Sequence, residues 1–253
     1  MSQSFRHPEI LDIARQEGKV SVEGLAQHFG VTLQTIRRDL TDLAEAGQLE
    51  RVHGGAVLAS GTTNIGYEAR RSINPEGKTA IARACAAQIP ENSALFLGIG
   101  TSTEAVARAL VHHKDLMVVT NNMNVASILA ANHDCEVIVT GGQLRRSDGG
   151  LVGALAVETI RRFKFDLAVI GCSALDADGD MLDYDIQEIS VSQAIVQQSR
   201  RTALVADHSK FTRHAPAKIA SLRDVDTFYT DAAPAEVLAE ACRGWATEVQ
   251  VCH

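Results

Sequence analysis

The stretch Val31-Thr-Leu-Gln-Thr-Ile-Arg-Arg-Asp-Leu40, followed by Arg51-Val-His-Gly-Gly-Ala56, decides how the beginning of this chain folds. Thr32 can cap a helix running to about Ala46, whose inward stripe would be Leu33, Ile36, Leu40 and Leu43. Gly47 supplies a stop. Upstream, His7 to Gln16 carries Ile10, Leu11, Ile13 and Ala14 ahead of Gly18; Ser21 can cap Val22 to His28, and Gly30 follows as a turn. Downstream, Gln48 to Glu50 and Ala56 to Leu58 flank His53-Gly54-Gly55 in the manner of a small hairpin. Helix, helix, turn, helix and hairpin make a winged helix-turn-helix over residues 1–58.

With Ile36, Leu40 and Leu43 turned inward, Gln34, Thr35, Arg38 and Thr41 lie on other faces, and Arg37 at the margin. Gln matches the adenine edge and Arg the guanine edge in a DNA major groove. Thr32 and the first-turn amides can hold a phosphate. In the wing, Arg51 and His53 suit phosphate or minor-groove contact, and Gly54-Gly55 would let the backbone approach closely. A three-helix bundle with a solvated polar face explains the core pattern. It does not explain Gln-Thr-Ile-Arg-Arg at a helix start after a tight turn, so operator-type DNA is the expected partner.

The whole chain has 253 residues and a formal charge of −7, with 45% hydrophobic and 22% charged residues. That balance fits a soluble globular protein and argues against a general nucleic-acid coat. Residues 1–59 hold six Lys/Arg against eight Asp/Glu, a formal −2. DNA affinity must therefore come from the local placement of Arg37, Arg38 and Arg51. The start has no leader-like pattern and Leu151 to Val157 is far too short to span a bilayer, so a cytoplasmic location without a membrane partner is expected. Five scattered cysteines form no Cys-x-x-Cys pair and read as reduced core thiols. Nine histidines form no His-Glu-x-x-His pattern; no metal and no cofactor is expected.

Residues 59–77, rich in Gly, Ser, Thr and Asn with Pro75 near the end, read as a linker with a helical turn around Tyr67 to Arg71. From Lys78 to 253 strands alternate with helices. The strands are placed at Ala94–Leu97, Leu116–Thr120, Cys135–Thr140, Asp166–Ile170, Thr202–Ala206, Thr227–Tyr229 and Glu248–Val251. The intervening helices are placed at Lys78–Gln88, Thr103–Val111, Asn124–Ala131, Leu155–Phe163, Glu188–Ser199 and Ala235–Cys242. This alternation predicts an α/β domain with a mostly parallel sheet covered on both faces. Ligands of such sheets bind beyond the carboxyl ends of the strands.

Polar loops cluster at those ends. Gly98-Ile-Gly-Thr-Ser-Thr103 follows a strand and opens a helix, so Gly100, Thr101, Ser102 and Thr103 can cradle a phosphate. Thr103 stands where a dinucleotide fingerprint needs glycine. Lys210 can bind an anion or a sugar oxygen, with Asp207 orienting it or accepting a hydroxyl. Lys78 suits substrate phosphate or simply a helix start. Asp176 is a further carboxylate or a turn residue, and Arg145-Arg146 is an anion contact or a solvated loop. Asn121 and Gly142, in the loops after the second and third strands, complete the candidate set.

Taken together these segments resemble the DeoR family of bacterial sugar-metabolism repressors over nearly the whole chain. The resemblance is carried by Gln34-Thr-Ile-Arg-Arg-Asp-Leu40, His53-Gly-Gly-Ala56, Gly100-Thr-Ser-Thr103, Thr120-Asn-Asn122, Gly141-Gly142, Gly171 and Asp207-His-Ser-Lys-Phe211. It implies a C-terminal effector domain related in fold to ribose-5-phosphate isomerase, a phosphorylated sugar or polyol as inducer, and a homo-oligomer, dimer or tetramer. It also implies effector-response positions at Lys78, Asp207 and Lys210. Thr120-Asn-Asn-Met-Asn-Val-Ala126, Ser147-Asp-Gly-Gly150 and Asp207 to Ala215 resemble members that answer glycerol 3-phosphate, which puts that compound first. Gly98 departs from the family, where an acidic residue is common. Two other functions stay open at this point: a sugar-phosphate isomerase with an appended DNA-binding module, using Asp176 as base, and a dimerising scaffold with a vestigial pocket.

Overall fold

The computed structural model describes residues 3–17, 19–45, 48–52, 54–58, 64 and 66–253. Gly18, Ala46, Gly47, His53 and most of 59–65 lie outside the described residues, so the stops placed at Gly18 and Gly47 and the wing contact placed at His53 do too. The N-terminal unit runs α1 (Gln3–Glu17), β1 (Lys19–Ser21), α2 (Val22–Phe29), α3 (Leu33–Glu45), β2 (Leu49–Val52) and β3 (Gly55–Leu58). Its capping is as the residues dictate. Ser21 Oγ accepts the Gly24 N–H at 3.0 Å, Gly30 ends α2 at φ 63°, and Thr32 Oγ1 accepts the Thr35 N–H at 3.2 Å. Ile10, Ala14, Val20, Leu25, Ile36, Leu40 and Leu43 pack into one core.

Three features were not expected. Leu33, expected on the inward stripe of α3, is 42% exposed. Asp39 takes a place on the buried face instead: Arg6 Nε and Nη2 donate to its two oxygens at 2.7 and 3.0 Å. Such a desolvated, two-pronged pair fixes α1 against α3, and removing one partner costs about 3–5 kcal/mol. Finally, β1 joins the hairpin in the order β1-β3-β2. A Cβ on Gly55 would come within 1.9 Å of the Val20 carbonyl oxygen, so strand approach explains this glycine, and Gly54 turns the hairpin at φ 76°.

The C-terminal unit begins with α4 (Tyr67–Ser72) and α5 (Pro75–Ala87), so the expected linker ends earlier than residue 77. Then come β4 (Ala94–Leu97), α6 (Thr101–Ala109), β5 (Leu116–Thr120), α7 (Met123–Leu129) and β6 (Cys135–Val139). A hairpin, β7 (Gln143–Arg145) and β8 (Gly150–Val152), precedes α8 (Ala154–Ile160) and β9 (Leu167–Ile170). There follow β10 (Ala174–Leu175), β11 (Asp180–Asp183), α9 (Ile186–Gln197), β12 (Thr202–Val205) and β13 (Ala217–Ser221). The chain closes with β14 (Thr227–Thr230), α10 (Glu236–Trp245) and β15 (Glu248–Val251).

Seven strands form one sheet in the order β15-β14-β12-β9-β4-β5-β6, every pair parallel. They are the seven expected from sequence. Strand residues alternate between two cores. Leu95, Leu97, Val169, Ala203 and Val205 pack with α5, α6 and α7, whereas Phe96, Ala168, Ile170, Leu204 and Phe228 pack with α8, α9 and α10. Because both faces are covered, the central strands β4, β9 and β12 are almost wholly apolar, whereas the edge strand β15, Glu-Val-Gln-Val, alternates. The chain runs outward from β4 through β5 to β6, then returns to β9 on the other side of β4. The strand order therefore reverses between β4 and β9, and a crevice opens there beyond the strand ends.

Candidate functional site

On α3, Gln34, Arg37 and Arg38 are exposed and Thr35 half-buried, opposite the face formed by Ile36, Leu40 and Leu43. The Thr32 and Thr35 hydroxyls lie 2.9 Å apart at the helix start. Arg51, on β2, donates through Nη1 to the Arg37 carbonyl at 3.2 Å. It thereby ties the hairpin to α3 and holds its cation beside Arg37. The tip at Gly54 is exposed. Arg37, Arg38 and Arg51 are thus exposed cations on a unit whose formal charge is negative, with Arg51 held against α3.

In the C-terminal unit a narrow cleft lies at the β4–β9 reversal. Ile99, Gly100, Thr101 and Ser102 line it from the turn after β4, and Gly171, Cys172 and Ser173 from the turn after β9. Lys210 enters from the 3-10 turn His208–Thr212 after β12, Asp183 and Glu188 from β11 and α9, and Arg70 from α4. Gly100 takes φ 138°, which turns the backbone so that α6 points its first amides at the cleft.

The charges around Lys210 are crowded and under-paired. Asp207 is fully buried and Lys210 and Arg213 nearly so. Burial and the neighbouring Arg213 push the Lys210 pKa down to about 7, against the pull of Asp207. Burial also lowers the pKa of Arg213. Burial opposes the Asp207 carboxylate, yet Lys210, the Ser209 amide, Lys78 and Arg213 outweigh it and hold its pKa below the ordinary value. Asp207 Oδ2, Ser209 Oγ, Arg213 Nη1, Arg70 Nε, Asn121 Oδ1 and Asn122 Nδ2 are buried without a hydrogen-bond partner among the described residues. An unpaired buried polar group costs about 1–3 kcal/mol. Their concentration in the loops of this region is what a polar ligand would relieve.

An acidic network adjoins the cations. Arg145 donates to Asp148 at 2.9 and 2.7 Å, to Asp185 at 2.6 Å and to Glu188. Burial works against this guanidinium, but Asp148 and Glu188 raise its pKa. Burial and Asp183 lift the Glu188 pKa to about 7, against the pull of Arg145. Arg145 is thus a structural hub, neither a solvated loop residue nor a free anion contact.

Of the residues expected at the site, Gly100, Thr101, Ser102 and Lys210 line the cleft together, with Asp207 buried beside Lys210. Five others are engaged elsewhere. Thr103 Oγ1 donates to the Gly98 and Gly100 carbonyls at 2.8 and 2.7 Å, so its hydroxyl holds the turn. Lys78 Nζ donates to the Arg70 and Ile73 carbonyls, and burial lowers its pKa to about 8. Asn121 donates to the Leu151 carbonyl at 3.1 Å, fastening β8 beside β5. Gly142 is required because a Cβ there would meet the Val152 carbonyl at 2.7 Å. Asp176 closes the β10–β11 turn by accepting the Asp178 and Asp180 amides at 3.1 and 2.9 Å, and does not line the cleft. Arg70, Asp183, Glu188, Cys172 and Arg213 are the residues that sequence reading did not assign. Only Arg213 carried a signal, three residues beyond Lys210 and just after the same turn.

Comparison with known proteins agrees with both halves. The DeoR-like helix-turn-helix domain matches residues 6–62, and the DeoR C terminal sensor domain matches residues 73–232. The glycerol-3-phosphate regulon repressor of Escherichia coli (strain K12) is 45% identical over 92% of this chain and 93% of its own length. That of Haemophilus influenzae is 44% identical over 92% and 91%. Among solved structures, ribose 5 phosphate isomerase A from Neisseria gonorrhoeae has a TM-score of 0.38 at 16% identity, over 54% of this chain and 53% of that one. With a matching DNA-binding module, a matching sensor module and full-length relatives at this identity, the chain belongs to the DeoR family.

Proposed function

We propose that the protein is a DNA-binding transcriptional repressor of a sugar or polyol catabolic regulon, released from its operator by a small phosphorylated metabolite. The observation that carries the effector half is the cleft at the strand reversal, which the buried Lys210 lines and beside which Arg213 Nη1 and Arg70 Nε are buried without a hydrogen-bond partner among the described residues. The phosphate belongs at the Gly100–Ser102 amides, where the α6 dipole favours a dianion, with Lys210 adding a charge-assisted bond. Hydroxyl groups of the ligand then face Asp183 and Glu188 across the cleft. Glycerol 3-phosphate is the first candidate, because the relatives named above are repressors of its regulon.

Release requires that the effector favour a conformer with poor operator affinity, since only differential binding shifts an equilibrium. The active form is a homo-oligomer on a repeated or palindromic site, because one small winged helix reads few base pairs. No turnover of sugar phosphates is expected: Asp176, the base that an isomerase reading would use, is engaged in a turn. Calorimetric titration of the full chain with glycerol 3-phosphate, inorganic phosphate and glycerol tests the effector. Binding of the first, weaker binding of the second and none of the third are expected. Equal affinity for glycerol and glycerol 3-phosphate would refute phosphate recognition.

A further inference from the structure

The seven-stranded sheet ends at β6, and the ladder to β5 fixes which backbone groups of that edge face outward. Leu116 donates to the Asp134 carbonyl at 3.2 Å, and Thr140 donates to the Thr120 carbonyl at 3.1 Å. With Leu116 opposite Cys135 and Thr120 opposite Val139, these bonds assign the even-numbered residues of β6 to the ladder. Val137 and Val139 therefore turn their N–H and C=O groups away from the sheet, and no described residue bonds them. We infer that β6 is a self-association surface, along which two copies of the chain pair antiparallel and join their sheets into one. This rests on the homo-oligomer reading above and names the surface where two copies meet.

The edge is complementary to itself. An antiparallel pair with its two-fold axis at Ile138 sets Val137 of each copy against Val139 of the other. Each such pair exchanges both of its bonds, so every outward group of the two valines finds a partner. A two-fold axis is what an isologous interface requires. Ile138 then faces its own counterpart, while Glu136, the one charged residue of the strand, meets Thr140 rather than itself.

Nothing in β6 guards against such pairing. Exposed edges are ordinarily blunted by Lys, Pro or a bulge. Cys135-Glu-Val-Ile-Val139 contains neither residue, and its register with β5 is unbroken. Apolar surface also continues past the strand. Val139 is 39% and Leu155 58% exposed, and Leu155 Cδ2 lies 3.4 Å from where a Cβ on Gly141 would stand, just beyond the strand end. A second copy would take this surface out of water. The opposite edge, β15, also turns two valines outward, since Glu248 and Cys252 donate to β14 and its approach at 2.9 and 2.7 Å. An axis there would pass Gln250, whose side chain donates to Glu248 at 3.0 Å, so polar groups would meet where β6 offers Ile138.

Sedimentation velocity on the full chain compares the parent with Val139→Lys and Val139→Pro, with thermal unfolding as the check on folding. The lysine leaves the backbone intact, and the proline removes an outward N–H that makes no bond to β5. Each should weaken self-association about 10-fold or more. A second measurement holds even where a variant folds poorly. In a Cys135→Ser background, Ile138→Cys should form an inter-chain disulfide on mild oxidation, because facing residues of a non-hydrogen-bonded antiparallel pair stand about 4.5 Å apart. Gln250→Cys in the same background should not. An oligomer that survives both Val139 variants, or a disulfide through residue 250 and not 138, would overturn the β6 surface and leave the oligomer reading standing. A parent protein that is monomeric at working concentrations would overturn both.

Discussion

Lys210 is the residue on which effector response should turn. It is buried beside Arg213 and Asp207, lines the cleft, and lies far from α3 in the chain. Lys210→Ala should keep operator affinity and lose release, giving a repressor that cannot be induced; operator-binding titrations with and without glycerol 3-phosphate check this. A fully inducible Lys210→Ala protein would exclude the residue. The pH dependence follows from the same group. With its pKa lowered to about 7, the Lys210 ammonium loses its proton as pH rises through that value in the folded protein, and an anion that needs the charge must restore it. Effector affinity should therefore fall between about pH 7 and 9, with proton uptake on binding, and the slope should flatten in Lys210→Ala. Glu188, with a pKa of about 7, acts in the same direction, because its ionisation adds negative charge to the opposite wall. Calorimetry in buffers of different ionisation enthalpy reads this directly. Lys210 and Asp207 were legible in sequence because they follow a strand in a polar turn. Arg70, Asp183 and Glu188 were not, since their role depends on which distant elements the fold brings to one crevice. Thr103 shows the converse: its residue type suits a ligand, but its hydroxyl is used twice by its own turn.

At the scale of elements, the proposed DNA contact is divided between α3 and the hairpin. Arg38 stands exposed on α3, whereas Arg51 is tethered to the Arg37 carbonyl. Arg38→Ala should weaken operator binding by about 1–3 kcal/mol and reduce discrimination against other sequences. Arg51→Ala should weaken binding more evenly across sequences, with a shallower salt dependence. Competition assays with operator and unrelated DNA separate the two. If Arg37→Ala/Arg38→Ala folds and binds its operator normally, α3 is not the reading helix. Short apolar runs between helical patterns made the inner sheet strands legible, alternation made β15 legible, and capping by Ser21 and Thr32 made α2 and α3 legible. The short strands β1, β7, β8, β10, β11 and β13 were missed. Strands of two to five residues outside the parallel sheet, paired through backbone groups, carry too little periodicity to stand out. The buried Asp39 was hidden for a related reason: its partner Arg6 is 33 residues away.

At the scale of the whole molecule, a protein of formal charge −7 must concentrate its attraction for DNA in small patches. Two such patches held in fixed spacing double the base-reading surface, so an oligomer should persist on the operator. Sedimentation showing a monomer both free and on its operator at working concentrations would contradict that. The domain plan was readable because the winged unit and the parallel sheet have different apolar periods. The connection between them was not, because α4 owes its place to hydrogen bonds with Glu104, Asp148 and Lys78, all distant in sequence. The two units are expected to be coupled, occupancy of the cleft by a phosphorylated metabolite lowering affinity for DNA. The most direct measurement is operator affinity of the full chain titrated with glycerol 3-phosphate and, in parallel, with glycerol. Release by glycerol 3-phosphate alone, with an affinity loss of roughly 5- to 150-fold, is the expected result. Operator affinity that is unmoved by saturating glycerol 3-phosphate and by other small sugar phosphates, or that falls equally with glycerol, would contradict it.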